Sequence, residues 1–345
     1  MAIIADLIPP AVLTGFVREL PGPATYTLNQ VLPDRQIGDI EAAIDVVLRT
    51  NRAATFRAYD AETPIGKRDA FQRSRVQLPP LGQKTVMGEQ ERLLLQQLQT
   101  GGFNDAPLVE MIYDEAATNT RAVMARMEVA RGDALVDGKV TINENGLALE
   151  ADFGVDPSHL VTAAVLWSDT AHASPLDDLR AWVNQYIDDV GEPPGYLRVS
   201  RQVLTYLLQS AEIRGLLATA IGTPALVSPA QLQQVLDQYD LPQIVQYNTR
   251  IDVNGTTVRP VPTTVAILTP ATPSDLGYTA WGVTAEALEL AASTDPQLNV
   301  RIEDAPGIVA MTIREGDPLR TWTKVAAVGM PIITDPRRLW VGTVA

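Results

Sequence analysis

Few residues in this sequence have the types and spacing that chemistry requires. His159 and His172 stand thirteen positions apart in stretches of loop composition. Without a third ligand at suitable spacing they form no metal set, so both read as surface side chains. Asp177-Asp178 and Asp188-Asp189 bracket one helical stretch. The first pair suits a helix N-terminus. The second lies where the helix dipole disfavours it, and reads as serving an interface or nothing. A paired-carboxylate acid–base site would need a substrate pocket, and nothing points to one. Gly316 in REGDP lacks the neighbouring glycines of GxGxxG, and the GEPPG run from Gly191 reads as a turn. GxSxG and Walker A patterns are absent, and with no cysteine there is no thiolate site and no disulfide framework. Trp167, Trp182, Trp281, Trp322 and Trp340 are scattered and read as core or interface packing. The expectation is a chain with no catalytic residue, no metal and no cofactor.

Charge is distributed less evenly. Residues 51–86 carry seven basic residues against Asp60, Glu62 and Asp69, a net +4 inside a chain of −14. Extended arms over 54–59 and 69–78, with a turn around Thr63-Pro64-Ile65-Gly66, would make this a basic hairpin. It is either a solvated hairpin or one that lies on an acidic neighbour. The net −14 argues against wrapping nucleic acid through a general basic face.

The elements that would carry such a hairpin are organised around one long helix, 105–132. Leu108, Ile112, Ala116, Val123, Met127 and Ala130 recur on one face. Asp105 caps it, Pro107 is tolerated in the first turn, and Gly132 is the expected left-handed terminator. Glu110, Asp114 and Glu115 lie early and Arg121, Arg126 and Arg131 late, which suits the macrodipole. A hairpin follows over 139–142 and 147–153, turning at Asn145-Gly146. Residues 1–50, broken by prolines and with little periodicity, read as an arm that lies on something. A short helix is expected over 88–98, ended by Gly101-Gly102, and loop over 156–175.

A second compact part is expected over 176–295. Its helices would be 175–190, 201–208, 212–220 and 229–239, with Ser228 as N-cap of the last. Its strands would be 196–199 and 263–268, with a hairpin of 244–253 and 256–260 around Asn254-Gly255. Strands at 300–303, 307–313, 321–328 and 340–344 would return to close the sheet of the long-helix part. The length of 345 residues allows two such parts. No run approaches a membrane span, and the N-terminal stretch makes a poor secretory signal.

Two stretches carry a resemblance. ARGDALVDGKVTINENGLALEADFG, from Ala130, resembles the end of the spine helix and the following hairpin in the lambda-type major capsid proteins of tailed phages, the E family. The ending TIREGDPLRTWTKVAAVGMPIITDPRRLWVGTVA is similar to that family's ending, with Gly316-Asp317-Pro318 and Arg320, an apolar strand, Asp335-Pro336 and a short last strand. About 60 residues match well, and the whole chain matches by order of elements.

The resemblance implies an α+β fold of the Hong Kong 97 type. It would have an N-terminal arm (1–50), an extended loop (51–86), a peripheral domain (88–155 with 296–345) and an inserted axial domain (176–295). It implies a structural role: a major capsid protein self-assembling through hexamers and pentamers into the icosahedral head of a double-stranded DNA phage. The DNA would be held on the inner face without sequence-specific binding. Portal, decoration and scaffolding proteins would be separate chains, the arm being too short to scaffold. Assembly would occur in the host cytoplasm and the product would be the virion, with no membrane involved. In this reading the extended loop crosses the adjacent subunit, and Arg68, Arg73 and Arg75 are the expected inter-subunit contacts. The rivals are an encapsulin-like nanocompartment shell of the same fold and, further off, a soluble α/β enzyme.

Overall fold

The computed structural model describes residues 2–4, 7–39, 41–47, 71–91, 106–218, 224, 227–295, 298 and 306–345. The expected arm 54–59, the turn 63–66, Arg68, Gly101-Gly102, Asp105 and the strand 300–303 lie outside the described residues, as do 92–98 of the expected short helix and 219–220 of the next one.

In chain order the N-terminal elements are β1 (Ala2–Ile4), α1 (Pro10–Glu19), β2 (Asp34–Gln36), β3 (Glu41–Val47), β4 (Phe71–Gln77) and β5 (Pro80–Met87). The spine helix α2 spans Ala106–Asp137, about 48 Å at 1.5 Å per residue, and feeds the hairpin β6 (Lys139–Glu144) and β7 (Leu147–Asp152). Then come β8 (Leu160–Thr162), α3 (Pro175–Val190), β9 (Tyr196–Val199), α4 (Arg201–Gln209), α5 (Ala211–Leu216) and α6 (Pro229–Gln238). The rest are β10 (Gln243–Gln246), β11 (Ile251–Val253), β12 (Thr256–Val258), β13 (Val265–Thr269), β14 (Gly277–Trp281), α7 (Ala285–Ala292), β15 (Val309–Gly316), β16 (Leu319–Ile333) and β17 (Trp340–Thr343).

The spine helix lies across a six-stranded sheet built on β16. The first half of β16 has β15 on one edge and β5 on the other, and its second half pairs with β14. The sequence reading ended this strand at Val328, whereas it continues through Gly329 and Pro331 to Ile333. Pro331 is accommodated where β16 has only β14 as a partner, so its missing N–H costs no ladder bond on a second side. Ile112, Ala116, Val123 and Met127 are buried against Val325 and Ala327 of β16, with Leu108 and Ala130 half-buried beside them, so the apolar stripe faces the sheet. Asn119, fully buried, donates to Thr323 O (3.0 Å) and accepts from Thr85 Oγ1 (3.0 Å), fixing the helix to two strands.

Gly132 does not end the helix. The helix runs five residues further, to Asp137, and Gly138 at φ +66° takes the left-handed position. The glycine at 132 serves a close approach: a Cβ there would lie 2.2 Å from Pro260 O.

The arm is more ordered than its prolines suggested. Pro10 sits at the first turn of α1, and Leu13, Thr14 and Val17 are buried. Thr14 Oγ1 donates to Ala310 O (3.1 Å) and accepts from Ala310 N (3.2 Å), seating the helix on β15. β1 extends the sheet beyond β15, and β2 runs parallel to β14.

The second core lies on one face of a five-stranded sheet ordered β10-β9-β13-β17-β8, covered there by α3, α4 and α6, while Val265, Ile267 and Val341 of the same strands pack with Ala134 and Leu135 of the spine helix. Its strands depart from the sequence reading in two places. The expected strand 244–253 is divided: β10 runs parallel to β9, and only β11 pairs with β12 around Asn254-Gly255. β17 does not close the sheet of the spine helix but lies between β13 and β8, with Trp340 fully buried. β14, from the expected second part, joins the first sheet. Apolar alternation identifies such strands without saying which sheet receives them.

Met127 is 2% exposed, so Met127→Asp places an unpaired charge between helix and sheet. The expected loss is at least about 3 kcal/mol of subunit stability, seen as insoluble expression or a large fall in Tm. Unchanged solubility and melting would refute this packing.

Candidate assembly surface

β3 and β4 form a two-stranded ladder that pairs with no other strand among the described residues. Its register sets Arg73 opposite Asp45 and Arg75 opposite Ala43. The structure therefore brings Arg73 and Arg75 onto one strand of a separate hairpin, while Arg68 lies outside the described residues. The outgoing strand is 41–47, so the ladder begins within the stretch read as an arm. Two strands alone are marginal in water, so the hairpin depends on how its roots are held.

Both roots meet at Trp281-Gly282, at the end of β14. Ile37 N donates to Trp281 O (2.8 Å). A Cβ on Gly282 would meet Asp39 O at 2.6 Å and the Leu78 side chain at 2.9 Å, so a glycine is required for both chains to approach. Beyond Leu78 the chain enters β5 and the main sheet. Lys84, one of the basic residues of 51–86, is used there: its Nζ lies 4.2 Å from the Trp322 ring centre, a cation–π contact inside the subunit.

Beside the spine helix runs a groove of about 670 Å³, bounded by β5, the β6–β7 hairpin and the β11–β12 hairpin. Asp133, Glu144 and Asp252 line it against one cation, Arg126, which pairs with Glu144 at 2.6 Å. Burial pushes the Asp133 carboxyl up to about 6, Arg126 opposes the rise and Asp137 adds to it.

A buried polar junction holds the scaffold beneath. Glu128, fully buried in the spine helix, accepts from Leu28 N (3.0 Å), Tyr247 Oη (3.0 Å) and Arg131 Nη1 (3.3 Å). Arg131 also donates to Thr279 Oγ1 (2.9 Å) and to Asp34, which accepts from Trp281 Nε1 (2.7 Å). Burial, and then the charge of Glu128, raises the Tyr247 hydroxyl far above its ordinary value, keeping it a donor. Sequence reasoning assigned Arg131 to the helix dipole and passed over Glu128. The available signal was a pair of opposite charges three residues apart, in phase with a stripe that continues through Ala134 and Leu135, both fully buried.

His159 also departs from expectation. It is 2% exposed, with Nδ1 3.1 Å from Leu339 O, Nε2 3.0 Å from Asp189 Oδ2 and its ring against Trp340. It ties the loop before β8 to the end of α3 and the start of β17, so Asp189 has a structural partner. His172 is exposed and contacts Asp169. Asp178 accepts from Trp167 Nε1 (2.9 Å), and Trp167, Trp182 and Trp340 belong to the second core.

An ordered arm, a rooted two-stranded hairpin, a long helix across one sheet and a second helix-covered sheet define a shell-forming subunit of the Hong Kong 97 type. The model of the family described as phage major capsid protein E matches residues 10–344, and the chain belongs to that family. It is a structural protein of the phage virion whose copies assemble into an icosahedral capsid that encloses the genome. A prophage protein of Escherichia coli CFT073, described as a capsid protein, has a similar structure at 15% identity and TM-score 0.63, covering 99% of this chain and 100% of that one. A phage-related protein of Bordetella bronchiseptica RB50 is similar at 13% identity and TM-score 0.58, covering 100% and 99%. No curated protein matches in sequence.

Asp133 gives a pH-dependent test of the groove. Its carboxyl titrates near 3.8 when unfolded and about 6 when folded, so ionisation opposes folding. The penalty is absent below about 3.8, grows between the two values and is complete above about 6. Asp133→Asn is therefore expected to stabilise the subunit by about 1 kcal/mol near neutral pH, allowing for solvent screening, and to have little effect near pH 4. Thermal unfolding at both pH values measures this. An equal shift at both, or a lower Tm at neutral pH, would contradict it.

Proposed function

We propose that the β3–β4 hairpin of one subunit, with the net-basic stretch 51–86 to which β4 belongs, lies on an adjacent copy, seated along the acidic groove beside that copy's spine helix. The observation that carries this is a hairpin rooted firmly on β14 yet without a strand partner among the described residues, in a chain that is acidic elsewhere. Arg68, Arg73 and Arg75 supply the cations. Asp133, Glu144 and Asp252, which outnumber Arg126 in the groove, supply the complementary field. Such complementarity sets register and closure more than affinity. A shell made of many modest contacts gains from hairpins that extend each subunit's buried area beyond its compact part.

In the same reading, the spine-helix part is the peripheral unit and the five-stranded unit the axial one, clustered around hexamer and pentamer axes. Portal, scaffolding and decoration proteins are separate chains, and assembly takes place in the host cytoplasm. The packaged double-stranded DNA lies against the inner face without sequence readout, and the net charge of −14 keeps the subunit from holding it through a general basic face. The chain has no enzymatic role.

Reversing Arg68, Arg73 and Arg75 together to Glu is expected to leave the subunit folded by circular dichroism. Particle yield in negative-stain microscopy should fall about tenfold or more, since like charges would then face each other. Added salt should weaken wild-type assembly in the same direction. Normal particles at normal yield from the triple variant would remove the electrostatic role.

A further inference from the structure

A second basic feature lies away from the hairpin. Arg201, Arg250 and Arg259 line two adjoining surface depressions of about 510 Å³ each, and Arg250, Arg259 and Thr263 are common to both. None of the three arginines pairs with a described carboxylate, whereas Arg126, Arg131, Arg337 and Arg338 all do. The remaining lining is hydroxyl, amide and proline, with no carboxylate and no large apolar side chain. In a chain with 41 acidic and 27 basic residues, such a concentration is not a sampling of the average surface.

The backbone forces these charges together. β11 pairs with β12 as far as Ile251↔Val258, and Arg250 and Arg259 are the residues immediately beyond that end of the ladder, both lining the two depressions. Like charges so placed repel, and an anion held between them converts the repulsion into attraction. Arg201 approaches from the first turn of α4, whose N-terminal end carries a partial positive charge. That end is fixed: Arg201 N donates to Asn248 Oδ1 (2.7 Å), Val203 N to Ser200 Oγ (3.1 Å), and Ser200 Oγ to Thr263 O (2.9 Å).

We propose that Arg201, Arg250 and Arg259 form an oxyanion site that takes phosphate groups. The guanidinium fork matches phosphate geometry, and the surrounding hydroxyl and amide groups suit its remaining oxygens. An acidic protein segment fits less well, because the cleft offers its apolar stems nothing to cover. The same phosphate chemistry is offered by a nucleic-acid backbone and by free inorganic phosphate. Only the first source rests on the capsid reading; the site itself does not.

The test uses the purified full-length chain and a variant carrying Arg201→Gln, Arg250→Gln and Arg259→Gln. Inorganic phosphate, a short DNA duplex and a poly-glutamate peptide are titrated separately, and folding and particle formation of the variant are followed by circular dichroism and microscopy. Wild-type protein is expected to bind the duplex about tenfold or more tightly than the variant. Its log-affinity against log-salt slope should be steeper by about one per arginine. Inorganic phosphate should raise the wild-type Tm and not the variant's. Phosphate binding without duplex binding would support the site and assign it to the free anion. Equal duplex and phosphate binding by both proteins, no binding of either, or preference for poly-glutamate over phosphate and duplex would overturn the proposal. Loss of particles by the wild-type chain bears on the capsid reading alone.

Discussion

The structure depends on one buried carboxylate being fully satisfied. Glu128 is buried in the middle of the spine helix, where an unpaired charge would be prohibitive. Its three donors come from the arm, the second compact unit and the next turn of its own helix. Arg131 passes the connection to β14 and to Asp34 of β2. Thr279 Oγ1 donates in turn to Leu32 O (2.8 Å), so the arm is held at Leu28, Leu32 and Asp34. These polar ties add to the packing of Leu13, Val17, Leu28, Val31 and Leu32, all buried, and make the arm part of the scaffold.

This has consequences for assembly. β14 receives the arm along β2, joins the main sheet along β16 and gives way at Trp281-Gly282 to the site where both hairpin roots are seated. The hairpin's roots are thus seated at the end of the same strand that the Glu128 junction braces. A rigid base and a projecting ladder let many identical, individually weak contacts close a shell without each subunit having to refold. Lys84, held over Trp322, belongs to the base rather than to the projecting part, so the cations available for a neighbour lie before β5.

Local features were the legible part of the sequence. The long apolar stripe gave the spine helix, Asn145-Gly146 and Asn254-Gly255 gave two tight hairpins, and Ser228 gave a helix start whose capping box is present. The family resemblance rested on the residues around Gly132 and Asp335, and the family match spans nearly the whole chain. What could not be read was pairing between distant segments. The sheets that receive β14 and β17, the burial of His159 beneath Trp340, and the use of Gly132 for Pro260 rather than for a turn all depend on contacts far apart in sequence. Glu128 and Arg131 looked like solvated helix charges because periodicity weighs residue type, and a paired charge in the core has the wrong type for its place. For the contact residues, the basic excess over 51–86 marked the segment but not the strand register, which pairs 71–77 with 41–47.

The most direct test of this coupling is native-state hydrogen exchange on Glu128→Ala against the wild-type chain. The substitution leaves three buried donors without an acceptor and should cost about 3–5 kcal/mol. The account predicts that amide protection falls together in residues 28–36, in β14 and around Tyr247, well beyond the turn of helix that carries the change. Loss of protection confined to the spine helix near residue 128, with the arm and β14 unchanged, would contradict it.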